Sequence, residues 1–344
     1  MTKSFKAFIT GIAGKVLSAQ EKEFIAAHQP WGFILFARNI ESANQLCRLT
    51  DSLREVTKRD DLPILIDQEG GRVRRLRPPL VQEYPAAATI GQLYQQNPKT
   101  GLRAAWLMSR LQAFDLRRFG LNVNCAPVLD VLIKGAHEAI GSRSFGSAAQ
   151  IVTALGQAAA EGLAAGGVLP IIKHIPGQGR ALQDTHFGLA TIDTPLEILR
   201  QSDFIPFKTL NHLPLAMNSH VIYNSIDATQ PATFSSKLVK EIIREEIGFN
   251  GLLMSDDLGM HALSGPFNER AQKCLKAGFD LVLHCSGDMA EMQKISAVAP
   301  LLADESLKRA QAAFTYLQSV DKGDESILRQ EFAALMETCL DKQS

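Results

Sequence analysis

Short, almost uninterrupted apolar runs recur along the chain, with helical patterns or polar loops between them. They are KAFITGIAG (6–14), WGFILFAR (31–38), LPILIDQE (62–69), LNVNCAPVLD (121–130), VLPIIKHIPG (168–177), LPLAMNSHVIY (213–223), FNGLLMSDDLGM (249–260) and FDLVLHCSG (279–287). Runs this short and this uniformly apolar suit strands buried on both faces of a parallel sheet. Between the first two, Ser18-Ala-Gln-Glu21 has the spacing of a capping box and opens a helix expected to reach Ala27. A second such pattern, Ser42-Ala-Asn-Gln45, precedes Leu46, Leu49, Leu53 and Val56, whose helical spacing would face them to the sheet. Further helical patterns surround Trp106–Leu111 and the Ala-rich stretch 148–165. Strand and helix alternating eight times predict an α/β fold, a (β/α)8 TIM-type barrel. A doubly wound sheet uses the same units, and counting runs does not establish closure.

After Gly287 the pattern turns helical. Leu307–Leu317 and Ile327–Leu340 each carry an apolar stripe, separated by the polar turn DKGDES. The expectation is one catalytic domain over 1–344, with the barrel at about 5–300 and extra C-terminal helices at about 301–344 packed outside it. The 344 residues exceed the rough 150 per domain of an average chain, but α/β barrels of that order fold as one unit. The connections 70–101 and 131–146 are long enough to mark a functional rim.

Charge narrows the partners. With 36 Lys+Arg against 36 Asp+Glu, no net field draws the chain to nucleic acid or to anionic membrane, and neither is expected as a partner. No apolar run approaches the roughly 18 residues of a membrane span. Lys3 and Lys6 precede an apolar stretch, but Gly11 and Gly14 break it and no small-x-small cleavage site follows, so it reads as a first strand rather than a signal peptide. Cys47, Cys125, Cys274, Cys285 and Cys339 are scattered without a CxxC spacing, which supports neither a disulfide framework nor a zinc ribbon. A cytoplasmic location follows as the expectation, with the oligomeric state open and a monomer compatible.

Acids, bases and glycines gather where the apolar runs end. Run three ends in Asp67-Gln68-Glu69-Gly70-Gly71, run four in Asp130, run five in Lys173-His174, run six in Asn218-Ser219-His220 and run seven in Asp256-Asp257. In a barrel those ends meet at one face, where active sites are built. Strand ends are wetter than strand middles in any fold, yet wetness alone does not favour acids, bases and glycines over Ser and Thr. Three constellations carry chemistry. In Met254-Ser255-Asp256-Asp257-Leu258, neighbouring side chains point to opposite faces, so one carboxylate should reach the barrel mouth and the other should bond backbone or an arginine. Alternation alone leaves open which does which. After Lys173-His174, the loop Pro176-Gly-Gln-Gly179 leads to Asp184 and His186, two positions apart. A carboxylate beside an imidazole fixes its tautomer and favours its protonated form, as a general acid/base requires; an Asx-turn with an exposed histidine has the same spacing. Metal ligation is weakly supported, because no HxH or HExxH accompanies the pair. Finally, Asp67-Gln-Glu-Gly-Gly-Arg-Val-Arg-Arg75 places a carboxylate, a tight turn and an arginine cluster within ten positions. Asp accepts from adjacent sugar hydroxyls and Arg donates to several acceptors, although a solvated basic turn has the same composition. Gly177-Gln-Gly179-Arg lacks the Lys-Ser/Thr of a phosphate loop.

These segments, together with Asn124-x-Ala-Pro-Val-Leu-Asp130, Ser142-Arg143-Ser-Phe-Gly146, Ser255-Asp256-Asp257-Leu-x-Met260 and Ala277-Gly-x-Asp280, fall in the order of family 3 of the glycoside hydrolases. Over roughly residues 5–290 the chain resembles that family's bacterial β-N-acetylglucosaminidase branch. The resemblance implies a TIM-type barrel, and the length looks like that of the single-domain cytoplasmic enzymes of cell-wall recycling. It also implies Asp256 as nucleophile, His186 as acid/base oriented by Asp184, and Asp67, Arg75, Arg143, Lys173 and His174 as the sugar-binding set. Two positions depart from the family's habit: Gln178 stands where relatives usually have His, and Thr185 where they commonly have Ser. The dyad spacing survives both.

The resulting expectation is a retaining exo-β-N-acetylglucosaminidase acting on terminal β-linked N-acetylglucosamine of small glycans, muropeptides above all, without cofactor or metal. Phosphorolysis by the same site is the nearest alternative, since a histidine acid/base repels phosphate less than a carboxylate does. A non-catalytic muropeptide-binding regulator and a metal-dependent barrel hydrolase are further alternatives from other classes.

Overall fold

Every apolar run contributes a strand to one closed parallel barrel, in a computed structural model that describes residues 5–183, 188–316 and 320–340 (backbone alone for 338–340). The barrel strands are β1 (Lys6–Gly11), β2 (Pro30–Leu35), β3 (Ile64–Ile66), β4 (Val123–Asn124), β5 (Leu169–Ile175), β6 (Leu215–Asn218), β7 (Leu252–Asp257) and β8 (Leu281–His284). They pair in sequence order, and β8 closes on β1 with Phe8 opposite Val282. The helices between them are α1 (Ala19–His28), α2 (Ala43–Thr57), α3 (Ala87–Gln96), α4 (Pro98–Arg118), α5 (Ala149–Ala165), α6 (Leu196–Gln201), α7 (Phe204–Thr209), a π-helical stretch (Leu238–Glu246), α8 (Phe267–Ala277) and α9 (Met289–Val298). This is the (β/α)8 TIM-type barrel, and closure removes the doubly wound alternative.

The runs are apolar throughout because each strand faces two cores. Ile9, Leu65, Ile171, Leu215, Met254 and Leu281 fill the barrel interior, while their neighbours Phe8, Ile66, Ile172, Ala216, Leu253 and Val282 pack under the helices. Two-residue periodicity therefore separates the interior from the helix layer without any polar residue marking the change. Run six divides: Leu215–Asn218 stays in the barrel, and Val221–Tyr223 leaves it to pair with Ala190–Ile192.

The Ser18 box is present in full. Glu21 N donates to Ser18 Oγ (3.1 Å) and Ser18 N to Glu21 Oε2 (2.8 Å). The second is a cap without the reciprocal bond. Ser42 Oγ accepts from Gln45 N (3.3 Å), but Gln45 Oε1 accepts from Glu41 N (2.9 Å) instead of Ser42 N, and its NH2 group donates to Lys15 O (2.7 Å) and Asn39 O (3.0 Å). The expected long connection 70–101 also shortens, since α3 and the first turn of α4 occupy its second half. Beyond the barrel, α10 (Asp304–Thr315) and α11 (Glu325–Leu340) follow. α10 lies across the end where the strands begin: Ala310 and Ala313 join the interior cluster, and the Phe314 ring is 6.0 Å from that of Trp31. That end is closed, and the opposite end is left for chemistry. Cys47, Cys125, Cys274 and Cys285 are free thiols, while the Cys339 side chain lies outside the described residues.

Candidate active site

At the C-terminal ends of the strands lies a cavity of about 450 Å³, and Asp67, Arg75, Arg143, Lys173, His174 and Asp256 all line it. Their convergence follows from strand parity. Lys173 continues the inward series Leu169, Ile171, and Asp256 continues Leu252, Met254. Asp67 follows Leu65 by the same step, so all three project above the apolar plug of the barrel.

Parity also separates the two carboxylates that the sequence left undecided. Asp256 is in phase with the interior, its N–H held by Asn218 Oδ1 (3.1 Å). Asp257 also borders the cavity, but its Oδ1 accepts the main-chain N–H groups of Gly259 (3.0 Å) and Cys285 (3.0 Å). Burial raises the Asp257 carboxyl above its ordinary range, against those two bonds and the neighbouring His284.

The hairpin after β3 returns an arginine to its own starting point. Gln68–Gly70 pairs antiparallel with Val73–Arg74, and Gly70 turns with φ +104°, where a Cβ would stand 2.4 Å from Pro85 O. Two amide side chains fix this turn. Asn124 of β4 accepts from Gln68 N (3.0 Å) and donates to Gln68 O (3.0 Å), and Gln68 Oε1 accepts from Arg75 N (3.0 Å) and Leu76 N (3.0 Å). Arg75 Nη2 thereby reaches Asp67 Oδ2 at 3.1 Å. The other two arginines of the cluster serve elsewhere. Arg74 pairs with Glu83 (2.7 Å), and Arg72 donates to the carbonyls of Glu138 (2.6 Å) and Ala139 (2.5 Å), tying the hairpin to the 131–146 connection.

From Asp67 a chain of alternating charge crosses the cavity wall. Lys173 Nζ is 3.0 Å from Asp67 Oδ1 and 2.7 Å from Glu69 Oε1. Glu69 in turn holds Arg143 in a two-pronged pair, at 2.9 Å from Nε and 2.8 Å from Nη2. Lys173 is 2% exposed, so its charge is balanced by protein and not by bulk water. Burial would raise the Asp67 carboxyl, but Lys173 and Arg75 outweigh it and hold it well below the usual carboxylate range. Burial likewise opposes ionisation of Glu69, and Arg143 with Lys173 brings it down to about 2. The same pairs hold Lys173 above the usual lysine range against its own burial. The wall presents fixed cations and carboxylates, the donors and acceptors that vicinal hydroxyls require.

Sequence reasoning left Glu69 and Asp130 without roles. Glu69 had a signal, since it stands two positions beyond Asp67 and both Arg143 and Lys173 need a carboxylate. Asp130 Oδ2 lies 2.6 Å from His174 Nδ1. His220, named at the end of run six, is buried behind the site with Nε2 2.9 Å from Asp257 O. Asp184 and His186 lie outside the described residues. Among the described residues, no group of three or more His, Cys, Asp or Glu side chains is placed to hold a metal ion. No helix among them is long and apolar enough to cross a membrane.

Comparison with known proteins agrees with this geometry. Residues 9–317 match the glycosyl hydrolase family 3 N-terminal domain. A beta-hexosaminidase of Bordetella pertussis is 36% identical over 304 residues, covering 87% of this chain and 86% of that protein. One from Xylella fastidiosa is 36% identical over 295 residues, covering 85% and 86%. Among solved structures, NagZ from Neisseria gonorrhoeae in complex with N-trifluoroacetyl-D-glucosamine superposes with a TM-score of 0.86 at 30% identity, covering 96% of this chain and 98% of that one. A beta-N-acetylglucosaminidase from Thermotoga maritima gives 0.74 at 28% identity, covering 92% and 67%. With the barrel closed, the polar wall assembled at its C-terminal mouth and the match spanning most of its length, the chain is a glycoside hydrolase and belongs to glycosyl hydrolase family 3.

Proposed function

We propose that the chain is a retaining exo-β-N-acetylglucosaminidase that releases a terminal, non-reducing β-linked N-acetylglucosamine. Its natural substrates on this reading are GlcNAc-1,6-anhydro-muramoyl peptides of peptidoglycan recycling, met in the cytoplasm. The observation that carries the reading is the run of alternating charges from Arg75 through Asp67, Lys173 and Glu69 to Arg143, beside the inward-facing carboxylate of Asp256. Such a wall can hold one sugar by its hydroxyls while a carboxylate meets the anomeric carbon. The relatives support the sugar class: several are beta-hexosaminidases, and the gonococcal structure holds an N-acylated glucosamine.

In this mechanism Asp256 attacks the anomeric carbon as the bond to the leaving oxygen breaks. Protonated His186, oriented by Asp184, gives its proton to that oxygen. Neutral His186 then takes a proton from water, which attacks the glycosyl-Asp256 ester, releases the sugar with its β configuration and restores the carboxylate. Asp67, Arg75, Arg143, Lys173 and His174 hold the sugar through both steps.

The test compares an aryl β-N-acetylglucosaminide with the matching β-glucoside, reading the first-formed anomer by NMR. Preference for the N-acetyl substrate with β-anomer formed first is expected. Preference for plain glucoside, or α-anomer first, overturns the proposal. A sugar 1-phosphate in phosphate buffer would replace hydrolysis with phosphorolysis. A muropeptide digest then decides the aglycone.

A further inference from the structure

The mechanism leaves one buried carboxylate beside the cavity without a task. Asp130 follows β4 and is 0% exposed. Among the described residues, its hydrogen bonds go to neither lysine nor arginine. Oδ2 lies 2.6 Å from His174 Nδ1, while Oδ1 accepts the main-chain N–H groups of Gln178 (2.6 Å) and His174 (3.3 Å). An enclosed carboxylate is costly unless each lone pair it turns inward meets a donor. Here one meets an imidazole nitrogen and the others meet main-chain N–H groups, of His174 within β5 and of Gln178 in the loop after it. Both His174 and Gln178 line the sugar cavity.

We propose that Asp130 is a positioning residue, acting on the sugar through His174 and on the pocket wall through residue 178. By holding a proton on His174 Nδ1 it fixes the ring's orientation and turns Nε2 to the cavity. With its other oxygen it fixes the chain at position 178, so one carboxylate sets both surfaces together. A carboxylate is needed because all three partners are donors. An asparagine offers one acceptor oxygen and turns its NH2 against an N–H group. The inference rests on the reading of the cavity as a sugar site.

Two measurements test it. In 15N-histidine-labelled enzyme, with the His174 signals assigned by their loss in His174→Gln, Nδ1 should carry a proton at neutral pH. A bare Nδ1 overturns the proposal. The second is a cycle of Asp130→Asn, His174→Gln and the double variant, read as the Kd for N-acetylglucosamine. Asp130→Asn should weaken binding about 10- to 100-fold, and the double variant should bind clearly less weakly than the product of the two single losses, its remaining loss beyond His174→Gln reflecting the freed position 178. Losses that multiply mean that Asp130 does not act through His174 and overturn it. If the wild type binds no N-acetylglucosamine, the functional reading fails, while the imidazole spectrum still decides the positioning role.

Discussion

Glu69 lies 2.7 Å from Lys173, and that contact joins the two halves of the cavity wall. On one side Asp67 holds Arg75 and Lys173; on the other Glu69 holds Arg143. Glu69→Gln removes the ion-pair partner of Arg143 and half the neutralisation of Lys173. Breaking a buried pair from one side costs about 3–5 kcal/mol. Urea unfolding should therefore show a loss of that order, and N-acetylglucosamine should bind at least about tenfold more weakly. Unchanged stability and affinity would mean that the chain of charges is not energetically joined.

The same carboxylate predicts an acid-side signature. Glu69 is held near 2 in the folded protein against an ordinary 4.5, so the unfolded chain binds the proton first as pH falls. Its contribution is complete above the unfolded value and is lost as pH falls through the folded one. Stability should decline between about pH 4.5 and 2, and Glu69→Gln should flatten that slope. Urea midpoints across the window, in wild type and variant, check it.

Much of this was legible in the sequence because strands carry their own parity. The apolar runs supplied every barrel strand, and Asp256 stands in phase with Leu252 and Met254. Tertiary bookkeeping was not legible. Glu69 meets Arg143 only because the 131–146 connection folds over the mouth, which local spacing does not encode. Gln45 fails to complete its capping box because its side-chain oxygen accepts from the main-chain N–H of Glu41, one residue before the cap, while Lys15 and Asn39 carbonyls hold its NH2 group. Gln68 and Asn124 look like ordinary polar residues in sequence, yet they hold the hairpin that returns Arg75 to Asp67.

The closed end of the barrel should be separable from its chemistry. Trp31 is fully buried in the interior cluster, against Phe314 of α10 and on the far side of the plug from the cavity. Trp31→Ala should cost about 3–5 kcal/mol of stability by leaving a void. KM for an aryl N-acetylglucosaminide should stay unchanged at temperatures where the variant remains folded. A KM shift without a stability loss would place Trp31 in the wrong role.

The adjacent carboxylates should behave unequally. Asp256→Asn removes the proposed nucleophile, and kcat should fall by about three orders of magnitude or more with the melting temperature held. Asp257→Asn instead weakens an acceptor for the N–H groups of Gly259 and Cys285, so stability should fall together with activity. Thermal unfolding beside steady-state rates separates the two. Substantial turnover in Asp256→Asn would transfer the nucleophilic role to another residue.

His186 is best tested through the leaving group. A general acid contributes most when the departing oxygen is strongly basic, because an alkoxide leaving without a proton is a poor leaving group. A nitrophenolate leaves readily on its own, whereas the sugar alcohol of a disaccharide does not. His186→Ala should therefore lower kcat/KM, which reports the first step, by about 10²- to 10⁴-fold for a natural disaccharide and far less for the nitrophenyl glycoside. With the nitrophenyl substrate, the glycosyl-Asp256 ester should also accumulate, since the variant lacks the base that activates water for its breakdown. Mass spectrometry of the quenched enzyme would read that ester as an added sugar on the peptide holding Asp256. Equal losses of kcat/KM on both substrates, with no ester, would remove His186 from the acid/base role.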